Sequence, residues 1–255
     1  MYHLLLQYSD LDVDIRYIDI MMRQNALNAA LNIYKFGKHS IITSRGDRQV
    51  IALRSLAVTT GRSIVPSFSL FESYYAQKGL DFADDLIRHE LSAPVSGSSP
   101  DQRRSLVVNA LKYEVMFFAA LQKLYDAAHG CSSEDQIRYS QAQQEWDVGA
   151  AMIIGSTQSA GSADNGDLMY NLAISLCSKF NTCDQSESIL TKEARINQQI
   201  EESLYAGGYL LKSKSCAGVA DFAKKIENLL KVRKKKLIRT SGLVTSPLML
   251  CFKIQ

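Results

Sequence analysis

"SPDQRRSLVVNALKYEVMFFAALQKLYDAAHGC", residues 99–131, decides the fold. Ser99 is suited to cap a helix N-terminus, and Pro100 to its first turn, where a missing N–H is harmless. Val107, Leu111, Phe118, Leu121 and Tyr125 then recur on one stripe at helical spacing. The spacing predicts a helix from 100 to about His129, ended by Gly130.

The same period continues outward in both directions. Downstream, Ser133 with Gln136 forms a capping-box pattern. It opens a helix that carries "EWDVGAAMIIGST" (145–157) and ends at Gly155. After the loop "STQSAGSADNG" come a helix from about Asp167 to Lys179, one over roughly 191–212, and a last one over 218–232. Gly207-Gly208 permits close backbone approach in the second of these. Upstream, "SAPVSGSSP" (92–100) is the clearest loop in the chain. Before it, Ile15, Ile18, Met22, Ala26, Ala29 and Ile33 predict a helix over 12–36 that Gly37 can end. Shorter helices follow over 48–60, 67–78 and 80–91. The expectation is an all-α fold, an antiparallel bundle of about eight helices in two loosely equivalent sets. The front set spans 12–91 and the back set 101–232, both within one domain, 1–235. Residues 236–255 have no helical stripe and are expected to form an irregular basic and apolar tail.

Composition agrees with this reading. Apolar residues make up 46% of the 255, enough for a sizeable core, and only four prolines occur. The net charge of +3 is small, and much of it comes from "KVRKKKLIR" (231–239). The near-neutral remainder argues against a general nucleic-acid surface. No run of about 18 apolar residues is present, so no transmembrane segment is expected. "MYHLLLQYSDLDVD" lacks a basic start and does not read as a signal peptide. The four histidines are scattered, and the chain has no nucleophile elbow, phosphate loop or dinucleotide fingerprint. An enzyme is not expected, and no catalytic residue is assigned.

Five cysteines are present: Cys131, Cys177, Cys183, Cys216 and Cys251. The first four occupy loop-like positions and form no CxxC pair, which favours disulfides over zinc and implies an oxidising compartment. Alternating helix directions put Cys131 at the same pole as Cys177 and Cys183. A bridge from Cys131 to one of these, or Cys177 to Cys183 directly, is therefore expected before one reaching Cys216. Cys251 is expected to be unpaired.

The candidate chemistry lies in acids on apolar stripes. Glu114 shares its stripe with Leu111, Phe118 and Leu121, so it should point inward. Asp147 falls with Gln144, Ala151 and Ile154, and should also point inward, facing Glu114 across two antiparallel helices. Glu145, about 200° away around the helix, should face solvent or the helix edge, and Trp146 should wall the core. A buried carboxylate must be paired, protonated or bound to a cation. Several tyrosines stand near acids: Tyr75 before Asp81, Tyr113 before Glu114, Tyr170 after Asp167. Hard cations such as Fe(III) take carboxylate and phenolate oxygens. The candidate metal set is therefore Asp147, Glu114, Tyr113, Tyr75 and Tyr170. A structural hydrogen-bond or salt-bridge network is the alternative reading of the same residues.

Several segments, taken in order, resemble the algal iron-assimilation protein family, which includes the phytotransferrins of diatoms. They are "IYKFGKHS…LRSLA…FESYYAQKGLDFADDLI", "YEVMFFAALQKLYDAAHGC", "EWDVGAAMIIGST…GDLMYNLAISLCSKFNTC" and "INQQIEESLYAGGYLLKSKSC". The specific parts are W-D-x-G-x-A-x-x-x-G at 146–155, Leu-x-Tyr-x-Leu-Ala running into C-x5-C, and the later cysteine after a glycine-containing helix. Together the segments cover about 14–230. The resemblance implies an extracellular or cell-surface helical domain for ferric iron acquisition, with carbonate as synergistic anion and an uptake partner at the surface. No ligand set carries over residue by residue, although Asp147 lies inside a matching motif. The chain departs from the family pattern at both ends. A truncated gene model or a cytoplasmic relative would account for the missing signal sequence. A non-catalytic surface or interaction protein on the same scaffold, without metal, is the competing function.

Overall fold

A computed structural model describes residues 8–44, 47–92, 99–134, 136–155, 168–177, 181–183 and 194–240. The first predicted helix is two: α1 (Leu11–Arg23) and α2 (Leu27–Phe36). Asn25 separates them at φ 56°, a left-handed conformation that asparagine tolerates better than most residues. A two-stranded antiparallel hairpin follows, β1 (Ile41–Ser44) and β2 (Asp47–Val50), with Ile41 opposite Val50. The helix expected from 48 therefore starts only at Leu53, as α3 (Leu53–Thr60). The β-branched Ile41, Ile42 and Thr43 favour a strand. A 3-10 turn at Pro66–Phe68 leads into α4 (Ser69–Lys78), and α5 (Phe82–Ser92) follows.

The predicted long helix is continuous over 32 residues: α6 (Pro100–Ala110), one π turn (Leu111–Val115) and α7 (Met116–Cys131). Ser99 caps it as expected. The Gln102 amide donates to Ser99 Oγ at 3.2 Å, and the Ser99 amide donates to Gln102 Oε1 at 2.9 Å. Next come α8 (Gln136–Ile154), α9 (Met169–Cys177), α10 (Arg195–Lys212), a 3-10 turn at Cys216–Gly218, and α11 (Val219–Thr240). The described residues thus form an all-α bundle of eleven helical segments, more than the eight or so expected, with one small hairpin. Residues 236–240, expected in an irregular tail, continue α11. Lys, Arg and Leu all favour helix there. Residues 241–255, with Cys251, lie outside the described residues. So do residues 93–98 of the first loop, all of the 156–166 loop and residue 135 within the Ser133–Gln136 cap.

The long helix is the spine. α1 and α5 pack on α6, α3 packs on the π turn, and α8 and α11 pack on α7. Most buried apolar side chains form one continuous cluster from Leu11 to Leu230, and Ala173, Cys177 and Ala194 form a small second one. Trp146 on α8 is 1% exposed, and its indole N–H donates to the Leu204 carbonyl at 2.8 Å. A Cβ on Gly207 would lie 2.1 Å from Trp146 Cζ2, so only glycine lets α10 approach the ring this closely. Among the described residues no helix is long and apolar enough to cross a membrane.

Candidate functional site

Two of the five predicted ligands meet. Glu114 lies in the π turn at 2% exposure, and Tyr75 reaches it from α4 at 1%. The Tyr75 hydroxyl donates to Glu114 Oε1. Aromatic rings surround the pair: Phe68 is 5.2 Å and Phe82 5.8 Å from the Tyr75 ring, and Phe118 is 5.4 Å from Phe68. Tyr113, half-buried, precedes Glu114 in the same turn. The wider π turn was not expected from sequence. Such turns interrupt α-helices frequently at functional sites.

Asp147 does not join them. The inward face of α8 carries Ala142, Trp146, Gly149, Met152 and Ile153, while Gln144 is exposed and Asp147 only half-buried. Asp147 accepts a hydrogen bond from Gln143 Nε2 at 3.2 Å. Burial pushes its carboxyl above the usual carboxylate range, against Gln143 and the Lys212 charge. The register of α7 against α8 explains the separation. Lys123 pairs with Glu145 at 2.7 Å, and the Ala120 carbonyl lies against Gly149. The α7 level opposite Asp147 is therefore near Gln122, about 12 Å along the axis from Glu114. Glu145 sits at the helix edge, half-buried in its pair with Lys123. Tyr170 is also elsewhere. Its hydroxyl donates to Glu201 Oε1 on α10 at 2.5 Å, and its carbonyl accepts from Asn197 Nδ2 at 2.9 Å.

The Tyr75–Glu114 contact belongs to a wider pattern. Tyr34 on α2 donates to Asp84 on α5 at 2.8 Å, and Tyr125 on α7 donates to Glu227 on α11 at 2.6 Å. Both acids also hold cations. Arg54 and Arg88 bind Asp84 at 3.2 and 2.8 Å, and Lys231 binds Glu227 at 2.9 Å. Burial, then the neighbouring carboxylate, pushes the Tyr34 phenol up, as burial and the bond to Glu227 do for Tyr125. Burial alone would raise Glu227, but hydrogen bonds from Tyr125, the Ser67 amide and Lys231 hold it below the usual value. Asp14, fully buried on α1, accepts from the Lys38 and His39 amides at 3.1 and 3.0 Å and lies 2.7 Å from His39 Nδ1. Sequence reasoning missed these acids. Asp84 falls on a stripe with Ile87 and Leu91, and Glu227 with Val219 and Ala223, the same signal that singled out Glu114.

The two disulfides among the described residues join predicted cysteines, with one pairing corrected. Cys177 and Cys183 are bridged directly, Cα–Cα 4.7 Å. Cys131 pairs with Cys216, Cα–Cα 5.5 Å, and with neither of the other two. The assumed pole was wrong. Cys183 lies beside Ala194, at the start of α10, whereas the end of α10 meets the start of α8, where the Tyr139 hydroxyl donates to the Leu211 carbonyl at 2.8 Å. α10 separates the two by about 25 Å and delivers Cys216 to Cys131.

Among the described residues no three His, Cys, Asp or Glu side chains gather closely enough to hold a metal ion. In comparisons with known proteins, the chain matches no family model, no curated protein and no solved structure.

Proposed function

We propose that this chain is a non-catalytic, disulfide-braced binding module that works outside the cytosol and takes ferric iron with carbonate. The resemblance to the algal iron-assimilation family supports the ligand. The two disulfides support the compartment, since such bonds persist in oxidising surroundings. The contact between Tyr75 on α4 and Glu114 in the π turn supports a site there: a phenol and a carboxylate, both hard oxygen donors, with Tyr113 next to Glu114 in sequence. Ferric iron would displace the Tyr75 hydroxyl proton, and carbonate or water would complete its shell. Because both side chains are buried, loading requires α4 to move off the turn. A chelator-competition titration of the full chain, with and without bicarbonate, tests this. Glu114→Gln should weaken ferric binding at least tenfold while leaving the helical circular dichroism intact. Unchanged binding would remove Glu114 from the site.

A second reading has its own support. The similar pairs at Asp84 and Glu227 are neutralised by Arg54, Arg88 and Lys231, which makes them architecture. If Tyr75–Glu114 is architecture too, the chain is a helical surface or interaction protein without metal. Absence of ferric binding under every bicarbonate condition favours that reading.

A further inference from the structure

We propose that the outer face of α10 is a self-association surface, on which a second copy of this chain docks antiparallel about a two-fold axis, independently of any role in iron binding. α10 is held to the body by its other face: Ile200, Leu204 and Leu211 are buried, and Gly207 meets Trp146. Tyr205 and Tyr209, one turn apart, each lie about 160° around the helix from Gly207. They are 81% and 64% exposed, and Tyr205 is the most exposed large apolar side chain among the described residues. Two exposed charges frame them, Glu202 on the preceding turn and Lys212 in the last turn of the helix. The four side chains fall within an arc of about 80°, along about 15 Å of axis. Glu201, next to Glu202 in sequence, is already engaged by the Tyr170 hydroxyl. Lys212 acts on Asp147 through its charge, but among the described residues neither Glu202 nor Lys212 is in an ion pair.

The order of these residues selects a second copy as the partner. Tyr205 and Tyr209 lie two residues to either side of Gly207, and Glu202 and Lys212 lie five to either side. Two such helices laid antiparallel, with the two-fold axis at the level of Gly207, set Tyr205 of each copy against Tyr209 of the other and Glu202 against Lys212. Every pairing then occurs twice, as a two-fold interface requires. Four phenol rings form the middle and an ion pair closes each end. Tyrosine suits this place because it joins a large apolar ring to a hydroxyl that can stay wet. A parallel arrangement would set Glu202 on Glu202 and Lys212 on Lys212, and like charges oppose it. A single helix face buries less than a standard interface, so the association belongs to the weak, transient class.

The test is sedimentation velocity of the full chain over a concentration series, with charge reversals. The parent should self-associate reversibly, and less at high salt. Glu202→Lys alone and Lys212→Glu alone each set like charges together at both ends, and each should weaken association roughly tenfold or more. An equimolar mixture of these two single variants should restore it. The new lysine of one then faces the new glutamate of the other, and the native pair re-forms at the opposite end. Lys212→Glu also brings an acid toward Asp147, so the mixture rather than the single variant decides. Tyr205→Ala/Tyr209→Ala should abolish association. All four side chains are exposed, so the circular dichroism and Trp146 fluorescence of every variant should match the parent. A chain that stays monomeric up to about 1 mM overturns the proposal and leaves the stripe to a partner of another kind. So does a mixture that associates no better than its components, or association that survives the loss of both tyrosines.

Discussion

Gly207→Ala and Gly208→Ala differ by one position and should shift stability in opposite directions. At Gly207 the new Cβ would sit 2.1 Å from Trp146 Cζ2, 2.5 Å from Cη2 and 2.9 Å from Cε2. The ring cannot retreat cheaply, because it is fully buried and its N–H is held by the Leu204 carbonyl. Overpacking of this kind costs up to about 3 kcal/mol, and alanine's better helix propensity returns about 1, for a net loss of about 2 kcal/mol. At Gly208 the nearest atoms, Trp146 Cδ1 and Nε1, would be 3.6 Å away, an ordinary contact. There the propensity gain of about 1 kcal/mol stands alone. For a chain of this size the melting temperature should fall by about 4–8 °C in the first variant and rise by about 2–4 °C in the second. Trp146 is the only tryptophan, so its fluorescence reports the same interface during denaturant unfolding. Equal effects of the two changes, or stabilisation by Gly207→Ala, would refute the α8–α10 packing described above.

Three further outcomes follow from the acids and cysteines. The folded-state pKa of Glu227 lies below its unfolded value, so its contribution is present above the unfolded pKa and lost as pH falls through the folded one. Glu227→Gln should cost about 1–3 kcal/mol at neutral pH, and the difference should shrink in acid unfolding titrations; a constant difference would contradict the ionised pairing. Asp147 has the opposite sign, since burial raises its pKa and ionisation opposes folding. Asp147→Asn should therefore unfold at the same or a slightly higher denaturant midpoint at neutral pH, with the gain fading in acid, and a clear loss of stability would restore a favourable charge interaction there. The Cys131–Cys216 bridge closes a separation of 85 residues and Cys177–Cys183 one of 6. In the loop-entropy account, replacing the first pair with serine should cost about 4–5 kcal/mol and the second about 2; the reverse order in thermal melts would count against it.

The long helix was legible because its cap, proline, apolar stripe and terminal glycine all agree. The inward turn of Glu114 followed from the same stripe, and the approach at Gly207 from paired glycines. Asp147 was misplaced because its assumed stripe mixed Gln144 with Ala151 and Ile154. The face of α8 is set instead by Trp146, the largest fully buried side chain, and Asp147 lies one residue, about 100°, beyond it. The Cys131 partner depended on which way α9 and α10 run after the 156–167 segment, and a connection of that length permits either direction. The hairpin at 41–50 was hidden because a short β-branched run has no period that separates strand from helix. Asp84 and Glu227 were legible and overlooked.

The most direct test is the visible absorption of the full chain titrated with Fe(III) in bicarbonate, for the parent and for Tyr75→Phe. Phenolate bound to Fe(III) gives a charge-transfer band that carboxylate ligands alone do not. A band that saturates at one iron per chain, requires bicarbonate and disappears in Tyr75→Phe with the fold retained is the predicted result. Iron binding without the band, or a band unchanged by Tyr75→Phe, would contradict a site at Tyr75 and Glu114.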